Sequence, residues 1–283
     1  MRWLVVGADG MLGQDLMAVL TGAGEEATGT VRTELDVTDP DAVEAVVAGH
    51  DVVVNCAAFT AVDAAEEQEA EAFAVNAAAA AYVARSARRA GARLVHVSTD
   101  YVFDGLATEP YREDEAIAPR SAYGRTKAAG EWAVRAECPD HLLVRTAWLY
   151  GEHGACFPKT IARVARERGG LDVVDDQVGQ PTWTADLAHL VRRLVAAQVP
   201  AGVYHGTASG ATSWHAFARA VVEAAGLDPD IVRRSTSAAS RRPAPRPAYS
   251  VLSHRALRAA GVEPIGDWRS RWDTAAPEVL ASA

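Results

Sequence analysis

The stretch GADGMLG, residues 7–13, stands between a short apolar run at residues 3–6 and a segment of helical periodicity that begins at Met11. Its glycines, Gly7, Gly10 and Gly13, have the GxxGxxG spacing of a dinucleotide-binding turn. Small residues let the backbone approach a pyrophosphate, and the helix that follows offers unpaired amides and the positive end of its dipole to the anion. A glycine triplet alone also suits a plain tight turn. Its position at the head of an alternating strand and helix pattern selects the binding reading.

That pattern continues downstream. Runs of β-branched residues predict strands over 3–6, 27–31, 51–56, 94–97 and 142–145, and helical periodicity predicts helices over 11–21, 40–48, 65–90 and 121–137. Thr38 or Asp39 would cap the second helix, with Pro40 in its first turn. The alanine run at 77–81 lies within a helical period beside Tyr82 and Val83, which points to close helix packing. Alternation of this kind implies an α/β fold, a Rossmann-type doubly wound parallel sheet with helices on both faces. After Gly151 the elements shorten and prolines interrupt them. The expected organisation is a dinucleotide-binding domain mainly in residues 1–152 and a smaller C-terminal α/β substrate lobe mainly in 153–283, with some later segments returning to the first domain.

At the end of the second strand stand Thr30, Val31 and Arg32, where an enzyme using the non-phosphorylated cofactor usually carries a carboxylate for the ribose hydroxyls. Arg32 offers charge-assisted hydrogen bonds to a 2′-phosphate, which favours NADPH and leaves NADH as the weaker alternative; the plain alternative is a solvated surface arginine. Asp36 and Val37 offer a carboxylate and an apolar wall for the adenine, although Asp36 could instead cap the next helix.

Tyr123 and Lys127, in YGRTK, are four residues apart on a predicted helix and so share a face. The segment Ser98-Thr99-Asp100-Tyr101 closes the fourth strand and carries a hydroxyl to the same sheet edge. Hydride reduction of a ketone leaves an alkoxide that needs a proton from an acid already bound to it. A phenol with a neighbouring ammonium, and with the positive ring of an oxidised nicotinamide beside it, is expected to be tuned toward that task. Thr99 would hold the carbonyl oxygen.

In this order, GADGMLGQ, LDVTD, VVNCAAFTAVDAAE, VHVSTDYVFDG, YGRTKAAGE, LLVRTAWLYG and DDQVGQPTW strongly resemble the dTDP-4-dehydrorhamnose reductases and their relatives among the extended short-chain dehydrogenases. The resemblance covers nearly the whole chain. It implies an NADP-dependent oxidoreductase in which Tyr123 donates the proton, Lys127 is its partner and Thr99 is the third catalytic residue. It further implies that Gly10, Met11 and Leu12 line the pyrophosphate, Asp36 and Val37 the adenine, and Ala58, Phe59 and Thr60 the ribose side of the cofactor. Thr99, Asp100, Tyr101 and Trp148 would contact the sugar nucleotide; Trp148, in an apolar run, could equally belong to the core. The implied reaction is reduction of the C4 ketone of a dTDP-4-keto-6-deoxysugar, dTDP-4-dehydro-L-rhamnose to dTDP-L-rhamnose, in rhamnose biosynthesis. The alternatives are another 4-keto or branched sugar nucleotide of secondary metabolism, or a non-catalytic NADP-binding regulatory subunit. Two positions depart from the family pattern: Cys156 stands where an asparagine is usual, and SVLSH near Ser253 lacks an acid. Asp15 is an acidic position for a metal at a dimer contact, but one carboxylate does not make a site, so no metal is expected.

Composition narrows the partners. The 283 residues are 49% hydrophobic and 23% charged with a formal net charge of −9, so no basic field exists to attract nucleic acid. The opening apolar run is too short for a signal peptide and no later stretch approaches a membrane span, which gives the expectation of a cytoplasmic protein without a membrane partner. Cys56, Cys138 and Cys156 lack the spacing of a zinc site or a disulfide framework. A homodimer is compatible with the resemblance. A dehydratase of the same fold would need adjacent Asp and Glu after the threonine, whereas Asp100 is followed by Tyr101. A 4-epimerase would retain its nicotinamide and usually prefers NAD.

Overall fold

The computed structural model describes residues 1–239 and 241–281. The predicted strands form within two residues of their expected limits: β1 (Arg2–Val6), β2 (Glu26–Thr30), β3 (Val52–Asn55), β4 (Arg93–Thr99) and β5 (His141–Thr146). With Gly202–His205 they make one six-stranded sheet in the order Gly202–His205, β5, β4, β3, β1, β2, all parallel. The chain winds from β1 out to β2 and then crosses back over β1 to β3, so the winding reverses between β1 and β3. Such a reversal opens a crevice beyond the carboxyl ends of the two strands, where ligands of open α/β sheets bind.

Parallel neighbours need crossover connections, and these bury the sheet on both faces. They are α1 (Met11–Gly22), α2 (Pro40–Val47), α3 (Glu69–Phe73), α4 (Ala79–Ala90) and α5 (Ala122–Glu137). On one face Leu12, Leu16 and Leu20 of α1 pack with Leu187, Val191 and Leu194 of helix Thr184–Ala196. On the other, Val43 and Val47 of α2 meet Val83, Ala84 and Ala87 of α4 and Val134 of α5. Asp39 caps α2, its Oδ1 accepting from the amides of Asp41 at 3.0 Å and Ala42 at 3.2 Å.

One expected element is different. The continuous helix predicted over 65–90 is a 3₁₀ turn at Ala64–Glu66, then α3, a π turn at Ala74–Ala78 and α4. A π turn holds one extra residue and rotates what it carries, which is why such turns gather at functional positions. Here it contains Asn76, whose buried amide reaches out of the helix to two other segments.

After Gly151 the chain builds a second core, in which Tyr150, Phe217 and Trp272 meet with ring centroids 5.4 to 5.6 Å apart. Helices Phe157–Arg168, Trp214–Ala224 and Trp268–Leu280 surround it. Between these, helix Thr184–Ala196 lies in the core beside α1 and Gly202–His205 pairs with β5, so both belong to the sheet. Among the described residues no helix is long and apolar enough to cross a membrane.

Candidate active site

Gly7 leaves β1 with φ of +83°, and a Cβ there would sit 2.9 Å from the amide nitrogen of Ala57 at the end of β3. The amides of Gly7 and Ala8 close the turn on the carbonyl of Thr30, at 3.0 and 2.9 Å. At Gly13 a Cβ would lie 2.2 Å from the Gly7 carbonyl oxygen, so any side chain would lift α1 away from the turn. Gly10 is the N-cap of α1, and no side chain accepts from its first amides. A helix start with open donors beside a crevice fits a pyrophosphate.

Every site residue expected from the sequence lines one cavity of about 1320 Å³. Gly7, Gly10, Met11 and Leu12 form its end at the turn, and Arg32, Asp36 and Val37 its rim. Ala58, Phe59 and Thr60 form one wall, and Thr99, Asp100, Tyr101, Tyr123, Lys127 and Trp148 surround the far end. The volume exceeds the roughly 300 to 1,000 Å³ of a pocket for one small ligand. There is room for a dinucleotide and a second molecule.

At the rim, Arg32 and Asp36 are exposed. The Asp36 carboxylate accepts from the hydroxyl of Thr38 at 2.7 Å and from its amide at 2.9 Å, which holds its carboxyl below the ordinary range, with Arg32 lowering it further. Since Asp39 caps α2, the alternative role of Asp36 as the helix cap does not apply.

At the far end, the Ser121 hydroxyl accepts from the Gly124 amide at 3.0 Å and fixes the start of α5, which presents Tyr123 and, one turn on, Lys127. The Tyr123 ring lies edge-on to Tyr101 with centroids 5.5 Å apart. Its phenol is hydrogen-bonded with Thr99, whose own hydroxyl donates to Asp100 Oδ1 at 2.9 Å. Burial pushes the phenol up to about 12, and the bond to Thr99 opposes this. This differs from the expectation that the Lys127 ammonium would pull the phenol down: desolvation dominates, and the ammonium donates instead to the Val97 carbonyl at 2.7 Å. At about 12 the phenol is protonated at neutral pH and is a weaker acid than a free tyrosine, so burial alone does not tune it toward proton donation. Lys127 itself is 2% exposed, and burial lowers it to about 8 while Glu131 one turn on opposes the shift. Burial also raises Asp100 to about 6.

Two supports were missed in the sequence. Asn76 accepts from the Phe59 amide at 2.9 Å, donates to the Phe59 carbonyl at 3.1 Å and to the Thr126 hydroxyl at 3.0 Å. It thereby ties the wall at 58–60 to the residue preceding Lys127. Glu131 and Arg145, 0% and 1% exposed, form a bidentate pair at 2.8 and 2.7 Å, and the Ser98 hydroxyl donates to the same carboxylate at 2.6 Å. Glu131, four residues after Lys127 in YGRTKAAGE on α5, is the available signal; its partner Arg145 lies on β5. Burial raises the Cys56 thiol to about 12, in keeping with an unreactive thiol. Asp15 faces His153 at 3.7 Å, and among the described residues no group of three or more metal-ligating side chains comes together.

Known proteins match this chain along nearly its whole length. The family model described as RmlD substrate binding domain matches residues 1–280. A "probable dTDP-4,6-dihydroxy-2-methyloxan-3-one 4-ketoreductase" of Streptomyces antibioticus is 48% identical over 100% of this chain and 97% of its own. A dTDP-4-dehydrorhamnose reductase of Streptomyces griseus is also 48% identical, over 100% and 95%. The crystal structure of a dTDP-4-dehydrorhamnose reductase of Bacillus anthracis in complex with NADP superposes with a TM-score of 0.94 at 35% identity, covering 98% of this chain and 99% of that one. The chain belongs to the RmlD substrate binding domain family.

Proposed function

We propose that this protein is an NADP-dependent oxidoreductase that reduces the C4 ketone of a dTDP-4-keto-6-deoxysugar, converting dTDP-4-dehydro-L-rhamnose to dTDP-L-rhamnose. One observation carries the reading: Thr99 and the Tyr123–Lys127 pair, far in sequence from the glycine turn, share a cavity with it. The cofactor, when bound, supplies a hydride. The chain does the rest. Gly10, Met11 and Leu12 receive the pyrophosphate at the start of α1, Asp36 and Val37 face the adenine, and Arg32 meets the 2′-phosphate. Ala58, Phe59 and Thr60 lie along the ribose side. Tyr123, protonated at neutral pH, delivers its proton to the oxygen at C4. Lys127 holds the cofactor ribose, and Thr99 orients the carbonyl as its proton turns from Asp100 to the ligand. Asp100, Tyr101 and Trp148 contact the sugar. Residues 1–152, with Thr184–Ala196 and Gly202–His205, serve as the cofactor-binding body, and the remainder as the substrate lobe. The reading includes a cytoplasmic enzyme and a homodimer, which light scattering of the purified protein checks.

A second substrate has a specific observation behind it. The S. antibioticus relative carries the name of a 4-ketoreductase for a different dTDP-linked sugar, at the same 48% identity as the S. griseus reductase. Mixing the protein with NADPH and a panel of dTDP-4-keto sugars, while following absorbance of the reduced cofactor, decides between them. Fastest turnover with dTDP-4-dehydro-L-rhamnose supports the first reading, and fastest turnover with another 4-keto sugar supports the second. No turnover with any of them overturns both.

A further inference from the structure

Trp148 is one of two non-glycine residues among those described with positive φ, at +49°. A left-handed conformation is strained for a bulky L-residue and persists only where its surroundings hold it. Those surroundings are specific. The Trp148 indole stacks on Trp214 with centroids 3.5 Å apart and planes 8° from parallel. Its other face lies over Gly179, where an added Cβ would be 2.5 Å from the indole. Both neighbours arrive on the same ribbon: Gly179 pairs with Thr212, and Trp214 begins the helix that follows Ser213. Trp214 is itself backed by Phe157, at 4.4 Å.

The arrangement joins the two parts of the molecule. Trp148 lies two residues beyond the end of β5 and lines the same cavity as Thr99 and Tyr123. Trp214 and Phe157 belong to helices of the second core. One face of the Trp148 indole is therefore set by a residue of the lobe, and a side chain at position 179 would push the ring out of place.

We propose that Trp214 is a positioning residue for substrate recognition: through its stack on Trp148, and with the clearance left by Gly179, it fixes the indole that forms one wall of the sugar-binding end of the cavity. This rests on the function proposed above. With Trp214 on one face and Gly179 on the other, the indole turns its edge to the cavity, so displacing it reshapes the sugar-binding end, weakens the sugar nucleotide and spares the cofactor, placed at the other end.

The test is steady-state kinetics of Trp214→Ala and Trp214→Phe with NADPH and the best dTDP-4-keto sugar of the wild type. For Trp214→Ala the KM of the sugar nucleotide is expected to rise about tenfold while the KM of NADPH changes by less than about twofold, and Trp214→Phe should restore most of the loss. An unchanged sugar KM in Trp214→Ala, or equal rises for both substrates, overturns the proposal. If Trp214→Ala does not fold, Gly179→Ala displaces the indole from the other side, and an unchanged sugar KM there overturns it equally. If the wild type reduces no such sugar, the functional reading has failed separately. Titration with dTDP-L-rhamnose, followed by tryptophan fluorescence, then decides this proposal: quenching in the wild type that is weakened in Trp214→Ala and restored in Trp214→Phe supports it, and identical curves, or no quenching in the wild type, overturn it.

Discussion

At the floor of the cleft Lys127 and Thr99 are 2% and 6% exposed, and each is held by a bond to its own surroundings, whereas at the rim Arg32 and Asp36 stand in solvent. The floor is held by the chain's own bonds. Tyr123 is set by Thr99, Lys127 by Val97, and their helix is tied to the wall of the cavity through Asn76 and Thr126. The rim is ordered by local turns, Glu34 and Leu35 on the Val31 carbonyl and Asp36 on Thr38, and its exposed charges act through water and salt. The contrast teaches where each function must sit. Proton delivery needs atoms placed to tenths of an ångström in a low-dielectric site, while cofactor preference can rest on a solvated charge worth a factor of ten.

This difference can be broken by substitution. The largest effect is expected at the floor: Tyr123→Phe keeps the ring and should bind NADPH nearly as the wild type does, while kcat falls by about a thousandfold. Turnover at the wild-type rate would remove the phenol from the reaction.

Next is the support beneath the floor. Glu131→Ala leaves Arg145 buried without its carboxylate, so the chain should lose about 3 to 5 kcal/mol of stability, read by urea denaturation. A loss under about 1 kcal/mol would mean that water or Glu113 replaces the pair, and that the floor is less rigid than its contacts suggest.

A smaller effect is expected at Asp100. Its carboxyl is raised by burial to about 6 from 3.8, so the folded chain holds that proton more tightly than the unfolded one. The corresponding stability is fully present below about pH 4 and is lost as pH rises through about 6, a change of about 3 kcal/mol. Asp100→Asn cannot ionise, so its Tm relative to the wild type should climb between about pH 4 and pH 7. A constant difference would contradict the burial of the charge.

How much of this could be read from the sequence follows the same division. The turn at 7–13, the strand ends and the Tyr123 and Lys127 spacing are local patterns, and backbone geometry alone dictates them. Asn76 escaped because helical periodicity cannot show a π turn, and the predicted helix over 65–90 ran straight through it. In the sequence Arg145 is one arginine at the end of an apolar run; only the pairing of β4 with β5, beside α5, places it against Glu131. The stack of Trp148 on Trp214 joins residues far apart through two-residue strands, which leave no periodic trace. The expected pull of Lys127 on Tyr123 is outweighed by the desolvation of the buried phenol, which the sequence does not show.

The smallest effect belongs to the rim. Arg32→Ala should weaken NADPH about tenfold, because one charge-assisted contact to the 2′-phosphate is lost, and should leave NADH within about twofold. Equal losses for both would refute the phosphate contact. High salt should narrow the gap, as befits an exposed charge.

Deuterium transfer tests the central claim most directly. With NADPH carrying deuterium at the nicotinamide C4 and a dTDP-4-keto-6-deoxysugar as acceptor, proton and deuterium NMR of the product should show the label at C4 of the sugar for the wild type, and only traces for Tyr123→Phe. Cofactor that stays reduced, or label at any other carbon, would contradict a ketone reduced at the Thr99, Tyr123 and Lys127 cluster.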